Sequence, residues 1–365
     1  MSELFTRHPA NPILRPGGPD WRLAVSFNPG AVVGDDGRTY LLERAGGGLR
    51  PFVNAIGLQA SDDGVHFELA EPEPVFTPEM AGSRFGSVQD PRVVRIDGRY
   101  LMTFAYRPYA WNSHPTGVGV PESFEPTLDQ APGYDGDPAK NLTRSGIAAS
   151  DDLRRWQLLG WVNPPDYDDR NCILFPRKIG GRYVMLRRPQ RLDPAIGGLR
   201  AYSDEVGTGI FLSESGDLLH WSDPRPIVRP AFAWEDNRIG GSTPPLETDL
   251  GWLVPYHAVE TVKTFPALPG ATGPRPNRVC YRVGLLLLDR DDPAKVLART
   301  TEPVMEPTDY YEQVGLYIPN VVFPTGLILR GDELRLYYGC CDTCIGLATA
   351  NLGDVLDHVR RFPVG

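Results

Sequence analysis

Asp90 stands in an Asp-Pro-Arg triplet at the head of an apolar run, and polar residues hold the same place before four other runs: Asn28, Asn171, Thr243 and Asn320. A second polar set closes the run that follows each of these: Arg44, Tyr106 with Arg107, Arg188, His257 and Asp342. Brought to one level of one cavity, the two sets would combine two carboxylates, several amides and several cations. Arg170 and Arg188 with His257 could then hold a small dianion, because guanidinium groups match phosphate oxygens with paired hydrogen bonds. Tyr106, Tyr281 and Tyr317 could offer flat faces to a sugar ring. Strand ends also turn polar where they reach solvent, and aromatics also pack cores. The set rises above that reading because chemically distinct groups recur at equivalent positions.

The positions are equivalent because the chain repeats. A glycine, a short apolar run and a polar turn recur as IGLQASDDGVHF (56–67), SGIAASDDLRRW (145–156), TGIFLSESGDLLHW (208–221), VGLLLLDRDD (283–292) and IGLATANLGD (345–354). A strand-like run behind a glycine turn precedes each copy: GRTYLLER (37–44), GRYLMTFAY (98–106), GRYVMLRR (181–188), GWLVPYH (251–257) and GDELRLYY (331–338). Before those lie NPGAVV (28–33), DPRVVR (90–95), NCILFP (171–176), STPPL (242–246) and NVVFP (320–324). Proline-bracketed segments follow the repeat at 73–78, 225–230 and 302–307, with a faint version ending at Pro164 and Pro165. Runs of this length punctuated by Gly, Pro, Asp and Asn read as strands and turns. Four strands per unit in five units predict an all-β, five-bladed β-propeller whose innermost strands line a central channel. The last unit lacks its proline-bracketed strand, and NPILRP (11–16) is expected to supply it and close the ring.

On this reading residues 1–365 form one catalytic domain with two insertions, 108–143 and 260–279. Insertions of that length usually build lids or rims over a site. The 39 glycines and 37 prolines suit a turn-rich all-β chain, since 41% of residues are still hydrophobic. A net charge of −9 argues against nucleic acid or an anionic membrane as partner. A basic cluster inside an acidic protein is therefore local, and its purpose is a bound anion. The five cysteines have no second pair at metal-ligand spacing, so no metal site is expected. Reduced thiols, no leader pattern before Leu4 and no membrane-length apolar run point to a cytoplasmic protein.

Six stretches together carry a family resemblance: SVQDPR (87–92), RNCILFP (170–176) with LRRP (186–189), GWLVPYH (251–257), and PNVVFPTG (319–326) with YGCCDT (338–343). They resemble glycoside hydrolase family 130, the β-mannoside phosphorylases and related β-mannosidases, over nearly the whole chain. The resemblance implies a five-bladed propeller. It implies Asp90 as general acid, acting through a sugar hydroxyl. It implies Arg170, Asn171, Arg188 and His257 as phosphate ligands, and Asn28, Arg44, Tyr281 and Asp342 as sugar contacts. Two residues depart from the family pattern: Gln89 replaces a glutamate, which could alter the acid or its sugar contacts, and Arg187 replaces a histidine, which could add positive charge near the anion.

Glycoside cleavage needs the leaving oxygen protonated. Water also needs a carboxylate base, whereas phosphate is already anionic. An acid facing a cationic cradle therefore suggests inverting phosphorolysis of a β-mannoside, with phosphate as co-substrate, no other cofactor, and α-mannose 1-phosphate as product. A β-mannosidase of the same family is the alternative, with Glu247, Asp309 or Glu312 as the base. A non-catalytic carbohydrate-binding propeller is a further one. The partners expected are a β-mannosyl oligosaccharide and phosphate, with homo-oligomer formation left open.

Overall fold

Each sequence unit folds as one antiparallel sheet, turning at a glycine between its first and second strands. Gly37, Gly98, Gly181, Gly251 and Gly331 all sit at positive φ there, between 58° and 128°, a region other residues enter only with strain. The computed structural model describes residues 4–49, 51–110, 134–135, 137–193, 198–202, 207–262, 278–316 and 318–364. Most of both insertions, with Trp111, and also Tyr317 lie outside the described residues.

Blade 1 contains Val25–Val33, Thr39–Gly46, Ala55–Ser61 and Glu68–Leu69; blade 2 contains Ser87–Ile96, Arg99–Arg107, Arg144–Ser150 and Gln157–Trp161. Blade 3 contains Tyr167–Leu174, Tyr183–Asp193, Ile210–Ser215 and Arg225–Val228, with Gly198–Ala201 paired to its second strand. Blade 4 contains Arg238–Gly241, Gly251–Val262, Arg278–Leu288 and Val296–Arg299, with Leu246–Thr248 on its second strand. Blade 5 contains Val322–Arg330, Glu333–Cys340, Cys344–Asn351 and Thr6–Arg7.

The core shows why five sheets make a ring. Separate apolar clusters lie between successive blades. Leu42 and Leu58 pack with Met102 and Phe104, Val94 with Leu174, Leu186 with Val254, Leu285 with Leu336, and Ile328 and Leu347 with Leu41. The last joins blade 5 to blade 1 and closes the ring of clusters. Burial of apolar surface at about 25 cal/mol per Å² is the main force holding the blades together. Among the described residues no helix is long and apolar enough to cross a membrane.

Three details of the sequence reading are corrected. The N-terminus does close blade 5, but the paired strand is Thr6–Arg7 against Thr349 and Ala348. NPILRP adds a single bridge, Leu14 to Ile345, because Pro12 and Pro16 have no N–H to give a ladder. In blade 4 the inner strand is Arg238–Gly241, upstream of STPPL, where Pro244 and Pro245 likewise cannot pair; Thr243 is buried after the strand instead of opening it. The outer strands of blades 1 and 4 are Glu68–Leu69 and Val296–Arg299, while Phe76 and Met305 of the proline-bracketed segments make isolated bridges.

Candidate active site

The inner strands of blades 1, 2 and 3 each break register once, between Phe27 and Gly30, Gln89 and Arg92, and Arg170 and Ile173. At each break sits a residue in the left-handed region: Asn28 at φ 45°, Asp90 at 51° and Asn171 at 56°. A bulge re-aims a side chain, and Asn and Asp tolerate this conformation better than other side chains. Asp342 reaches the same region, φ 49°, in the turn between the second and third strands of blade 5.

These residues line one cavity of about 430 Å³, together with Arg44, Arg170, Arg188, His257, Tyr281 and Phe323. Tyr106 does not line it. Its ring is buried in the core between blades 1 and 2, 5.2 Å from that of Trp161, so the sugar-stacking expectation for it fails. Asn320 and Thr243 are also absent from the lining. Arg107, placed beside Tyr106 in the sequence reading, does line the cavity, whereas Gln190, Thr208, Asn237 and Arg238 were missed as lining residues. Arg238 and Asn237 flank the true start of the blade 4 inner strand, so the misplaced strand hid them.

Charge is divided between two sides of the ring. Blades 5, 1 and 2 bring Asp342, Arg44 and Asp90. The Asp90 carboxylate accepts 2.8 Å from Asn28 Nδ2 and 2.9 Å from Arg44 Nη1. Burial pushes its pKa up, but Arg44, Arg92 and the Asn28 amide outweigh that and hold it below the usual carboxylate value. Arg44 is itself fixed by Asn54 at 2.8 Å and lies over the Phe27 ring at 4.4 Å.

Blades 3 and 4 bring cations. Arg170 forms a paired contact with the buried Asp168, 2.9 Å through Nε and 2.9 Å through Nη2. Arg188 differs. It is buried, its Nη1 reaches only Gln190 at 3.4 Å, and its Nε has no partner among the described residues. Burial, then Arg238 and Arg170, push its pKa down. The same causes, burial first and then Arg188, Arg238 and Arg92, hold His257 well below its ordinary value. It is therefore a neutral imidazole, set between Ser242 Oγ at 3.3 Å and Asn171 Nδ2 at 3.4 Å. Gly240 makes that approach possible, since a Cβ there would lie 2.6 Å from the His257 ring and 2.9 Å from Asn171 Nδ2. Tyr281 stacks near His257 and accepts from Arg238.

The two departures noted in the sequence now have places. Gln89 lines the cavity and donates to Ser87 Oγ at 3.0 Å. Arg187 is not among the residues lining the cavity. It points away from the cavity, buried, with Nε 2.7 Å from Asp169 and further contacts to Ser213 and Tyr167. Removing one partner of a buried ion pair costs about 3–5 kcal/mol. Arg187→Ala should accordingly lower unfolding free energy by about that amount in a urea titration, leaving the denaturant slope unchanged.

None of the candidate bases for a hydrolase reaches the cavity. Glu247 pairs with Arg177, and Glu312 is buried against Arg7 and Tyr338, as Asp309 is bound by Tyr311. Among the described lining residues the only carboxylates are Asp90 and Asp342.

A family model described as beta-1,4-mannooligosaccharide phosphorylase matches residues 5–117 and 160–361. The chain is 33% identical to a 1,2-beta-oligomannan phosphorylase of Thermoanaerobacter sp. (strain X514), over 94% of this chain and 96% of that one. It is 30% identical to a beta-1,4-mannooligosaccharide phosphorylase of Ruminococcus albus, over 82% and 74%. The fold is similar to that of a beta-1,2-mannobiose phosphorylase from Listeria innocua solved with beta-1,2-mannobiose, at TM-score 0.70 and 23% identity, covering 99% of this chain and 100% of that one.

Proposed function

The chain belongs to glycoside hydrolase family 130, and on that premise we propose that it cleaves a β-mannoside with inorganic phosphate, inverting the anomeric centre to release α-mannose 1-phosphate. The observation that carries the reading is the buried Arg188 guanidinium, which forms no ion pair with a carboxylate among the described residues and whose Nε has no partner there. A buried, unpaired charge is costly, and a bound dianion would relieve the cost. Arg170, Arg238, Asn171 and the neutral His257 would supply further donors around it.

Asp90 serves as the acid from blade 2, across the channel from the cradle. Phosphate attacks C1 from the cradle side, the C1–oxygen bond breaks, and the departing oxygen takes a proton that originates on Asp90. Cationic groups held in a dry site act by positioning and by stabilising developing charge. Hydrolysis would need a second carboxylate to activate water on the cradle side, and the described lining of blades 3 and 4 carries none. The five free, buried cysteines favour a reducing compartment, the cytoplasm.

The test is incubation of the protein with β-1,2- and β-1,4-mannobiose, with and without phosphate. At least one should be consumed only when phosphate is present, yielding one sugar 1-phosphate per bond cleaved. Equal cleavage without phosphate would refute the reading.

A further inference from the structure

The first two strands of blade 3 set four polar residues on one face. Asp168 lies opposite Gln190, and Arg170 lies opposite Arg188; alternate residues of a strand share a face. Two guanidinium groups therefore stand side by side, where like charges repel. Asp168 offsets that repulsion. Its carboxylate is wholly buried, whereas the Arg170 side chain keeps 27% of its surface exposed. Asp168 Oδ1 accepts from Arg170 Nε at 2.9 Å. Oδ2 accepts from Arg170 Nη2 at 2.9 Å and from the Thr143 N–H at 2.7 Å. The buried Thr143 hydroxyl accepts from the same Nη2 at 2.5 Å. Arg107 of blade 2 also lines the cavity, and its Nη2 is 3.8 Å from Asp168.

A bidentate pair fixes the plane of a guanidinium as well as its place. Nε and Nη2 of Arg170 are both committed, so Nη1 is the donor left for the cavity that Arg170 lines. We propose that Asp168, with Thr143, is a positioning residue for the phosphate: it holds Arg170 in the orientation that leaves Nη1 facing the incoming dianion. This rests on the phosphorolytic reading above.

Two other roles for Asp168 fit less well. It is not a base for water, because both its oxygens are occupied and it does not line the cavity. Nor does its charge help to bind phosphate, since an anion behind the cradle repels a dianion. Its value lies in what it does to Arg170. The charge states agree. Burial would raise the Asp168 pKa, but Arg170 and then Arg107 outweigh it and hold the carboxyl at about 2. Burial would lower the Arg170 pKa, and Asp168 outweighs that and raises it. An arginine ordered before the ligand arrives spares binding the loss of its side-chain freedom, worth roughly two- to tenfold in affinity.

The experiment is steady-state phosphorolysis of a mannobiose by Thr143→Val, Thr143→Ser and Asp168→Glu, none of which alters a charge. Valine keeps the shape of threonine and loses the hydroxyl; serine keeps the hydroxyl and loses the shape. Thr143→Val should raise KM for phosphate about three- to tenfold and leave KM for mannobiose within twofold. Thr143→Ser should stay within twofold of the wild type on both. Asp168→Glu moves the carboxylate by one methylene, and kcat/KM for phosphate should fall at least about tenfold. An unchanged KM for phosphate in Thr143→Val overturns the proposal. So does a Thr143→Ser variant as impaired as Thr143→Val, which would mean lost packing. Asp168→Glu at wild-type activity also overturns it and leaves Asp168 a charge balance. Should Asp168→Glu not fold, the two Thr143 variants decide alone. A wild type indifferent to phosphate defeats the functional reading and this inference with it; unimpaired variants of a phosphate-dependent wild type defeat this inference alone.

Discussion

Asp90→Asn should lower kcat for phosphorolysis of a mannobiose by roughly a thousandfold, within the range a positioned general acid contributes. The amide oxygen of asparagine can still accept from Arg44 and Asn28, which hold the wild-type carboxylate at 2.9 and 2.8 Å. The left-handed backbone at φ 51° suits asparagine equally well. The variant should therefore fold, with a melting temperature within a few degrees of the wild type. Loss of an acid is felt only when the leaving group needs a proton. A β-mannoside of a strongly acidic phenol should lose far less, about tenfold or under. Equal losses on both substrates in steady-state kinetics would mean that Asp90 only holds the sugar.

Arg188→Met should act in opposite directions on activity and stability. Removing a charge that stabilises the transition state costs roughly 10²–10³ in rate, and here the same group would also bind the nucleophile, so kcat/KM for phosphate should fall by roughly a thousandfold. In phosphate-free buffer the free protein should gain stability. Arg188 is buried, its Nε is unpartnered, and Arg238 and Arg170 repel it. Replacing such a charge with an apolar side chain of similar length is neutral or stabilising by about 1–4 kcal/mol. Phosphate should raise the melting temperature of the wild type, as any ligand of the folded state does, and leave that of Arg188→Met unmoved. A variant less stable than the wild type without phosphate would mean that Arg188 has a structural partner.

The architecture was readable because the same physics is repeated five times. The glycine turns at Gly37, Gly98, Gly181, Gly251 and Gly331 sit at positive φ, which glycine adopts without strain, so they mark the first hairpin of each blade in the sequence. The site was readable for a related reason. Asn28, Asp90, Asn171 and Asp342 combine a polar side chain with tolerance of left-handed backbone, and that combination fixes residue type. Where such a signal is missing, the reading went astray. Blade 4 has glycines where the other inner strands carry a bulge residue, and its inner strand was placed too far downstream, so Arg238 was passed over. Tyr106 ends its strand as the site residues do, but its ring turns into the core between blades 1 and 2; strand-end position alone carries no direction. Arg187 and Arg188 are adjacent and point to opposite faces of one strand, as alternation requires. Sequence could not say which faces the cavity. The structure gives Asp169 to Arg187 and leaves the Nε of Arg188 without a partner among the described residues.

The account turns on phosphate being the nucleophile, held by blades 3 and 4 and entering opposite the side from which Asp90 protonates. Phosphorus NMR of mannobiose incubated with protein and inorganic phosphate follows that event directly. The account predicts that the inorganic phosphate signal is replaced, mole for mole with bonds cleaved, by that of an α-configured mannose 1-phosphate. Free mannose accumulating while the phosphate signal stays unchanged, or a β-configured ester, would contradict it.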